Sequence, residues 1–111
     1  MANPNYIFTG VPTETVRIVV TDAAQSFAAA LLHSGTKNAV GAIVTCETNN
    51  IRFTLGGSVP TEGVAGLGHI LFANQSIKLS NSKAIETFAF LNHTAQSAAI
   101  LQVTFEFEFG A

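Results

Sequence analysis

The segment from residue 102 to residue 109 alternates strictly between polar and apolar side chains, and this alternation constrains the fold more than any other part of the chain. Successive side chains of a β-strand point to opposite faces, so the pattern predicts a strand with one dry and one wet face. The dry face would carry Val103, Phe105, Phe107 and Phe109, and the wet face Thr104, Glu106 and Glu108. We therefore expect the phenylalanines to cover a core or a partner and both glutamates to lie in water.

Other strand-like segments recur about every ten residues and are separated by Gly, Asn and Ser. Strands are predicted at 15–21, 25–27, 40–48, 51–55, 68–72, 76–80, 85–91 and 98–109. A capping pattern, Asp22 with Gln25, also permits a helix over 22–32, but a short strand and an irregular turn are favoured. Asn49 and Asn50 predict a hairpin between strands 40–48 and 51–55, because Asn tolerates positive φ. Seven to eight short strands predict an all-β, single-domain, antiparallel β-sandwich of jelly-roll type.

The chain of 111 residues has the size of one domain. Residues 1–13 contain Pro4 and Pro12 without a clean period, so they are predicted to form an extended N-terminal arm ahead of a sandwich domain over 14–111. The apolar run Tyr6, Ile7 and Phe8 indicates that the arm docks, either on its own domain or on a neighbour.

Only 11% of the residues are charged and 48% are hydrophobic, which is a low charge density for a lone soluble domain. This composition favours association with other copies or with a larger assembly; a surface rich in Thr, Ser, Asn and Gln is the alternative. Cys46 is the only cysteine, so an intrachain disulfide is impossible, and its apolar surroundings predict a buried small side chain.

Composition also argues against several classes of partner. The net charge is -2 and the five basic residues are scattered, so no phosphate-tracking patch forms and nucleic-acid binding is not expected. No apolar run reaches membrane-spanning length, so no membrane partner is expected. The glycines over 56–68 are followed by a strand rather than by a helix, which favours an exposed loop over a phosphate cradle.

Catalytic and metal-binding patterns are not recognised in the sequence. His33, His69 and His93 lack the short spacing of metal ligands, although oligomer symmetry could bring three copies of one histidine together. Glu106 and Glu108 are expected to form a solvated face, and the serines lie in no nucleophile-elbow context. We therefore predict no enzyme activity, no cofactor, no metal and no small-molecule substrate.

Four segments of the sequence are informative when taken together. They are Ala42-Ile43-Val44-Thr45-Cys46-Glu47-Thr48-Asn49-Asn50-Ile51-Arg52-Phe53-Thr54-Leu55-Gly56-Gly57-Ser58-Val59-Pro60-Thr61, then Gly68-His69-Ile70-Leu71, Ser76-Ile77-Lys78-Leu79 and the aromatic last strand. These segments resemble small virion proteins of tailed bacteriophages. The resemblance covers about residues 15–109 and implies a capsid decoration, or cement, protein. Such a protein is made in the host cytoplasm, forms a homotrimer and binds the major capsid protein on the virion surface.

Within that resemblance, two segments are predicted to bind the partner. One is the arm at Tyr6, Ile7 and Phe8; the other is the loop, with Ser58, Val59, Pro60, Thr61 and Leu67 as its contact residues. A tail or head–tail connector protein is the alternative, and a carbohydrate-binding β-sandwich is a weaker one, because the chain has no Trp and one Tyr.

Overall fold

A computed structural model describes Phe8 and residues 10–109. The described residues form nine strands, one α-helix and a short 3₁₀ helix, Ala29–Leu31. The strands are β1 (Val11–Val19), β2 (Gln25–Ser26), β3 (His33–Ser34), β4 (Lys37–Glu47), β5 (Ile51–Thr54), β6 (His69–Leu71), β7 (Ser76–Leu79), β8 (Ala89–Asn92) and β9 (Ile100–Phe107), and the helix α1 is Ser82–Thr87.

The strands pair antiparallel in two sheets. Sheet A has the order β1-β9-β4, with β3 and β7 both pairing with β4, and sheet B has the order β2-β8-β5-β6. The predicted all-β, antiparallel, sandwich-like fold is confirmed. The first strand begins at Val11, so Val11, Pro12 and Thr13 belong to β1 and not to the predicted arm; a register shift separates Pro12 from Thr15.

The core lies between the inner faces of the two sheets. Phenylalanines from both sheets and from the loops between them meet there: the ring centroids of Phe27 and Phe88 are 5.3 Å apart, and those of Phe27 and Phe105 are 5.1 Å apart at nearly right angles. Pairs of this geometry stabilise a core beyond the area that they bury. Fully buried aliphatic side chains complete it, among them Ala42, Val44, Ile51, Ile85, Leu101 and Val103.

The terminal strand β9 follows its predicted alternation only in part. Val103 and Phe105 are buried as expected, whereas Phe109 is 73% exposed. Glu108 is exposed, and its Oε1 accepts a hydrogen bond of 2.9 Å from the backbone N–H of Asn38. The prediction that Glu106 lies in water is wrong: its exposed fraction is 0%, and it forms an ion pair with Lys78 of β7.

The predicted hairpin between β4 and β5 is also wrong. The chain leaves sheet A at Thr48, which has a φ of 76°, and enters sheet B at Ile51, so the two strands pair with other partners. Asn49 holds this crossing, because its side-chain amide donates to the carbonyl of Ala98 at 2.9 Å. A hairpin and a crossing between sheets both need a tight connection, so the Asn pair did not distinguish them.

A helix replaces the first part of the strand predicted over 85–91. Asn81 is its N-cap, since its side-chain oxygen accepts a 2.7 Å hydrogen bond from the N–H of Ala84. Capping of this kind stabilises a helix start by about 1 kcal/mol. Ile85 is buried from the helix, and strand structure begins only at Ala89.

Candidate functional site

The loop that connects β5 to β6, residues 55–68, is a distinctive surface of the described residues, and we call it the β5–β6 loop. It contains the predicted exposed stretch 56–63, and Gly56, Gly57, Gly63 and Gly68 all have positive φ. At Gly56 and Gly57 a side chain would meet no neighbour within 4 Å, so the requirement for glycine there is conformational.

Arg52 holds the loop against the outer face of sheet B. Its neighbours Ile51 and Phe53 pack into the core, so its side chain points the other way, yet Arg52 is only 7% exposed. Its Nε donates to the carbonyl of Gly63 at 3.0 Å, Nη1 to Gly68 at 2.7 Å and Nη2 to Val64 at 3.2 Å. A planar guanidinium suits this task because its donors are held in a rigid fork.

Further hydrogen bonds order the loop itself. Thr61 and Leu67 bond reciprocally: the N–H of Thr61 donates to the carbonyl of Leu67 at 3.0 Å, and the N–H of Leu67 donates to Oγ1 of Thr61 at 2.6 Å. The N–H of Gly63 donates to the carbonyl of His93 at 2.8 Å, which ties the loop to the segment after β8. Gly66 has no room for a side chain, because a Cβ there would lie 2.1 Å from the carbonyl oxygen of Thr61.

This ordered loop presents apolar side chains to solvent. Val64 is 95% exposed, Val59 65%, Leu67 54% and Leu55 42%. Leu55 and Leu67 also line an open recess of about 300 Å³, together with Thr54, Ser58, Gly68 and His69. Large side chains of this kind on an ordered backbone are typical of protein-binding surfaces.

The residues predicted to bind a partner are distributed as follows. Ser58, Val59, Thr61 and Leu67 are exposed, whereas Pro60 is buried. Tyr6 and Ile7 lie outside the described residues. Phe8 is 51% exposed, and its ring centroid lies 5.7 Å from Nζ of Lys78. The partner-binding role of all eight stays a prediction.

Sequence reasoning missed Arg52, Val64 and Leu55. Arg52 is one of five scattered cations in the sequence, but its position in a short strand directly before a Gly-rich loop is a signal that could have identified it. The turn residues dominate the interpretation of the loop, so the exposed side chains of Val64 and Leu55 are not recognised from the sequence.

A second open recess, of about 310 Å³, lies where β1, β9 and the 3₁₀ helix meet. Val16, Leu31, Phe105 and Phe107 form its apolar lining, and His33 lies among its polar residues. Nδ1 of His33 is 2.7 Å from Oδ1 of Asn38, so one hydrogen-bonding position of this imidazole is already used.

Among the described residues, no group of three or more His, Cys, Asp and Glu side chains could hold a metal ion. Asp22 has a structural role, because its Oδ1 accepts hydrogen bonds from Nδ2 of Asn92 at 2.9 Å and from the N–H of Gln96 at 3.1 Å. Cys46 is buried, as predicted, and desolvation raises the pKa of its thiol to about 11. The prediction that the chain is not an enzyme remains open.

Comparisons with protein-family models, with curated proteins and with solved structures find no match for this chain. Within the described residues, no helix is long and apolar enough to span a membrane.

Proposed function

We propose that this chain is a capsid decoration protein of a tailed bacteriophage, which binds the outer surface of the major capsid lattice and stabilises the head. The observation that carries the proposal is the β5–β6 loop, in which Arg52 orders the backbone while Val59, Val64 and Leu67 remain exposed. The sequence resemblance to virion proteins supplies the capsid as the partner.

The rigidity of the loop supports a binding role. Ordering a flexible loop during association costs free energy, so a loop that is already ordered keeps more of the gain from burying apolar area. The apolar side chains on the β5–β6 loop lie on a backbone held by Arg52 and by the Thr61–Leu67 bonds. Contact with a capsid subunit would remove these side chains from water.

A cement role fits a protein that works through contact. A molecule that binds only the closed lattice shifts the equilibrium toward that lattice by mass action, and many copies acting together add avidity. In this proposal the protein is made in the host cytoplasm, assembles as a homotrimer and ends on the virion surface. Its partner is the major capsid protein, and no nucleic acid or membrane takes part.

Cosedimentation with empty heads of the phage that carries the gene tests the proposal. We expect the wild type to pellet with the heads, and the double variant Val64→Asp with Leu67→Asp to remain in the supernatant. Val19→Asp is the matched control, because Val19 is 49% exposed on β1 and lies outside the loop. A wild type that never pellets would overturn the proposal, and loss of binding only in the control would overturn the choice of surface.

Light scattering of the purified protein separates the proposal from its alternatives. A stable trimer supports decoration, whereas a ring of about six or twelve subunits favours a connector. Binding to a glycan array without binding to heads would favour the carbohydrate-binding alternative.

A further inference from the structure

Among the described strands, β1 has the longest open edge. Sheet A runs in the order β1-β9-β4, so β1 pairs with β9 on one side only. The strands at the edges of sheet B, β2 and β6, have two and three residues, whereas β1 has nine. Proteins usually keep open edges short, because unpaired backbone groups on an edge can pair with another chain. The edge of β1 is therefore suited to strand addition.

The register of β1 shows which of its backbone groups point to the open edge. The N–H of Val20 donates to the carbonyl of Ala99 at 2.9 Å, and the same register continues without a shift back to Thr15. Along an antiparallel pair, residues that exchange hydrogen bonds alternate with residues that do not. The N–H and C=O groups of Thr15 and Arg17 therefore point away from β9.

These edge groups are available for pairing. No described group forms a hydrogen bond with the backbone N–H or C=O of Thr15 and Arg17. The carbonyl of Val19 differs, because it accepts a hydrogen bond of 3.5 Å from Nε2 of Gln25. The open part of the edge therefore runs from Thr15 to Arg17, and a strand laid beside it could exchange hydrogen bonds with both residues.

The side chains beside this edge differ between the two faces of the sheet. On the outer face Arg17 is exposed and forms no ion pair with a described residue. On the inner face Val16 lines the recess of about 310 Å³, together with Leu31, Phe105 and Phe107. Because side chains of neighbouring strands share the faces of a sheet, an added strand would direct alternate side chains toward Arg17 and toward the recess.

We propose that the open edge of β1 binds an extended segment of another protein as an added strand, with an acidic residue beside Arg17 and an apolar side chain in the recess. Backbone hydrogen bonds supply affinity in this mode of binding, and the side-chain contacts supply selectivity. A second copy of β1 does not fit, because its outer face from Thr15 to Val19 carries no carboxylate. This site is separate from the β5–β6 loop, so it does not depend on the capsid proposal.

A fluorescent peptide, Leu-Glu-Val-Thr-Phe flanked by Gly-Ser at both ends, tests the proposal. It copies residues 101–105 of β9, of which 101–104 pair with the other edge of β1, with glutamate in place of Gln102, the residue opposite Arg17. In the same register on the open edge, the glutamate lies beside Arg17 and the phenylalanine falls on the face of the recess. Fluorescence anisotropy should show saturable binding to the wild type with a Kd below about 1 mM. Absence of saturable binding at that concentration would overturn the proposal.

Reversing the charge at Arg17 tests the outer face of the site. Arg17→Glu should weaken binding of this peptide about fivefold and strengthen binding of a peptide with lysine in place of glutamate, because charges directly opposite each other on paired strands interact. Lys83→Glu on α1 is the matched control, since Lys83 is also exposed and its replacement changes the net charge equally. Equal effects of the two substitutions would contradict pairing at Arg17.

Filling the recess tests the inner face. Ala30 is exposed and lines the recess, so Ala30→Trp should fill it and weaken binding of the phenylalanine peptide about tenfold. A peptide with alanine in place of phenylalanine should bind Ala30→Trp and the wild type equally, and this comparison remains valid even if the variant is less stable. Equal losses for both peptides would show that the recess receives no side chain. A dimer of the purified protein that the peptide dissociates in sedimentation would show that a second copy is the occupant, and would overturn the proposal.

Discussion

The outer faces of the two sheets each hold one cation that is largely shielded from water, Arg52 and Lys78, but the two cations are used differently. Arg52 on sheet B donates to three backbone carbonyls of the β5–β6 loop. Lys78 on sheet A pairs with the carboxylate of Glu106 and lies near the ring of Phe8. Both positions would face water if the strands were considered alone.

The difference follows from the chemistry of the two side chains. A guanidinium presents several donors in one plane and is weakly hydrated, so it can collect the carbonyls of a turn and remain buried. An ammonium is a compact and strongly hydrated charge, and its pairing with a carboxylate is opposed by desolvation. The arginine therefore fixes its loop through three carbonyls, whereas the lysine is held through its ion pair with Glu106.

Replacing Arg52 should have the largest effect. Arg52→Leu removes three charge-assisted hydrogen bonds and should lower the free energy of unfolding by about 3 to 4 kcal/mol, because bonds to charged groups contribute more than neutral ones. The free energy of unfolding of Arg52→Lys should lie between that of Arg52→Leu and that of the wild type, since one ammonium cannot reach all three carbonyls. Urea unfolding measures both, and exposed Arg17→Leu is the control. Equal stability of Arg52→Leu and Arg17→Leu would show that the loop is held by other contacts.

Cys46 is a titratable residue that is buried between the two sheets rather than on an outer face. Desolvation raises the pKa of its thiol from 9.0 to about 11, so the folded state favours the neutral form. Stability should be unaffected below pH 9 and should fall as the pH rises from 9 toward 11, by about 2 to 3 kcal/mol in total, because only the unfolded chain ionises in that range. The measurement is the wild-type unfolding free energy minus that of Cys46→Ala across this range. A difference that stays constant with pH would contradict the burial of the thiol.

Replacing either partner of the ion pair on sheet A should lower the free energy of unfolding less than Arg52→Leu does, and the two replacements should not have equal effects. Lys78→Met should cost about 1 to 2 kcal/mol, because the buried carboxylate of Glu106 loses the positive charge of its ion pair. Glu106→Gln should cost less, since the Lys78 side chain is 15% exposed and can turn its ammonium into solvent. Urea unfolding of both variants beside Lys83→Met tests this order. A larger loss of stability in Glu106→Gln would show that the lysine, not the glutamate, is the charge that cannot regain water.

The sequence predicts the strands well because their alternation is local. Strands β4, β6, β7 and β9 lie where the period of two places them, within a few residues. The partners of each strand are not local information, which is why a hairpin was predicted where the chain crosses between sheets at Thr48. The helix α1 did have a local signal, a capping Asn81 before residues that favour helix, but the phenylalanines that follow suggested one continuous strand.

Arg52 and Lys78 illustrate the same limit for side chains on the outer faces of the sheets. A polar residue on an alternating strand is assigned to water because the pattern does not reveal what folds back over it. Gly66 and Gly10 are required where one segment packs closely on another, because a Cβ at either position would lie within 2.5 Å of a backbone oxygen. A glycine needed for close approach cannot be told from a turn glycine until the facing segment is known.

Substitutions at the tip of the β5–β6 loop should change stability least and so complete the contrast with Arg52. Val64→Ser alters a side chain that is 95% exposed while its backbone carbonyl remains available to Arg52, so we expect a change below about 0.5 kcal/mol. Its effect should appear only in partner binding, whereas Arg52→Leu should impair both stability and binding. Thermal unfolding and head cosedimentation of the two variants measure this separation. Loss of stability in Val64→Ser would mean that the Val64 side chain packs within its own chain. The β5–β6 loop would then not be a preformed binding surface.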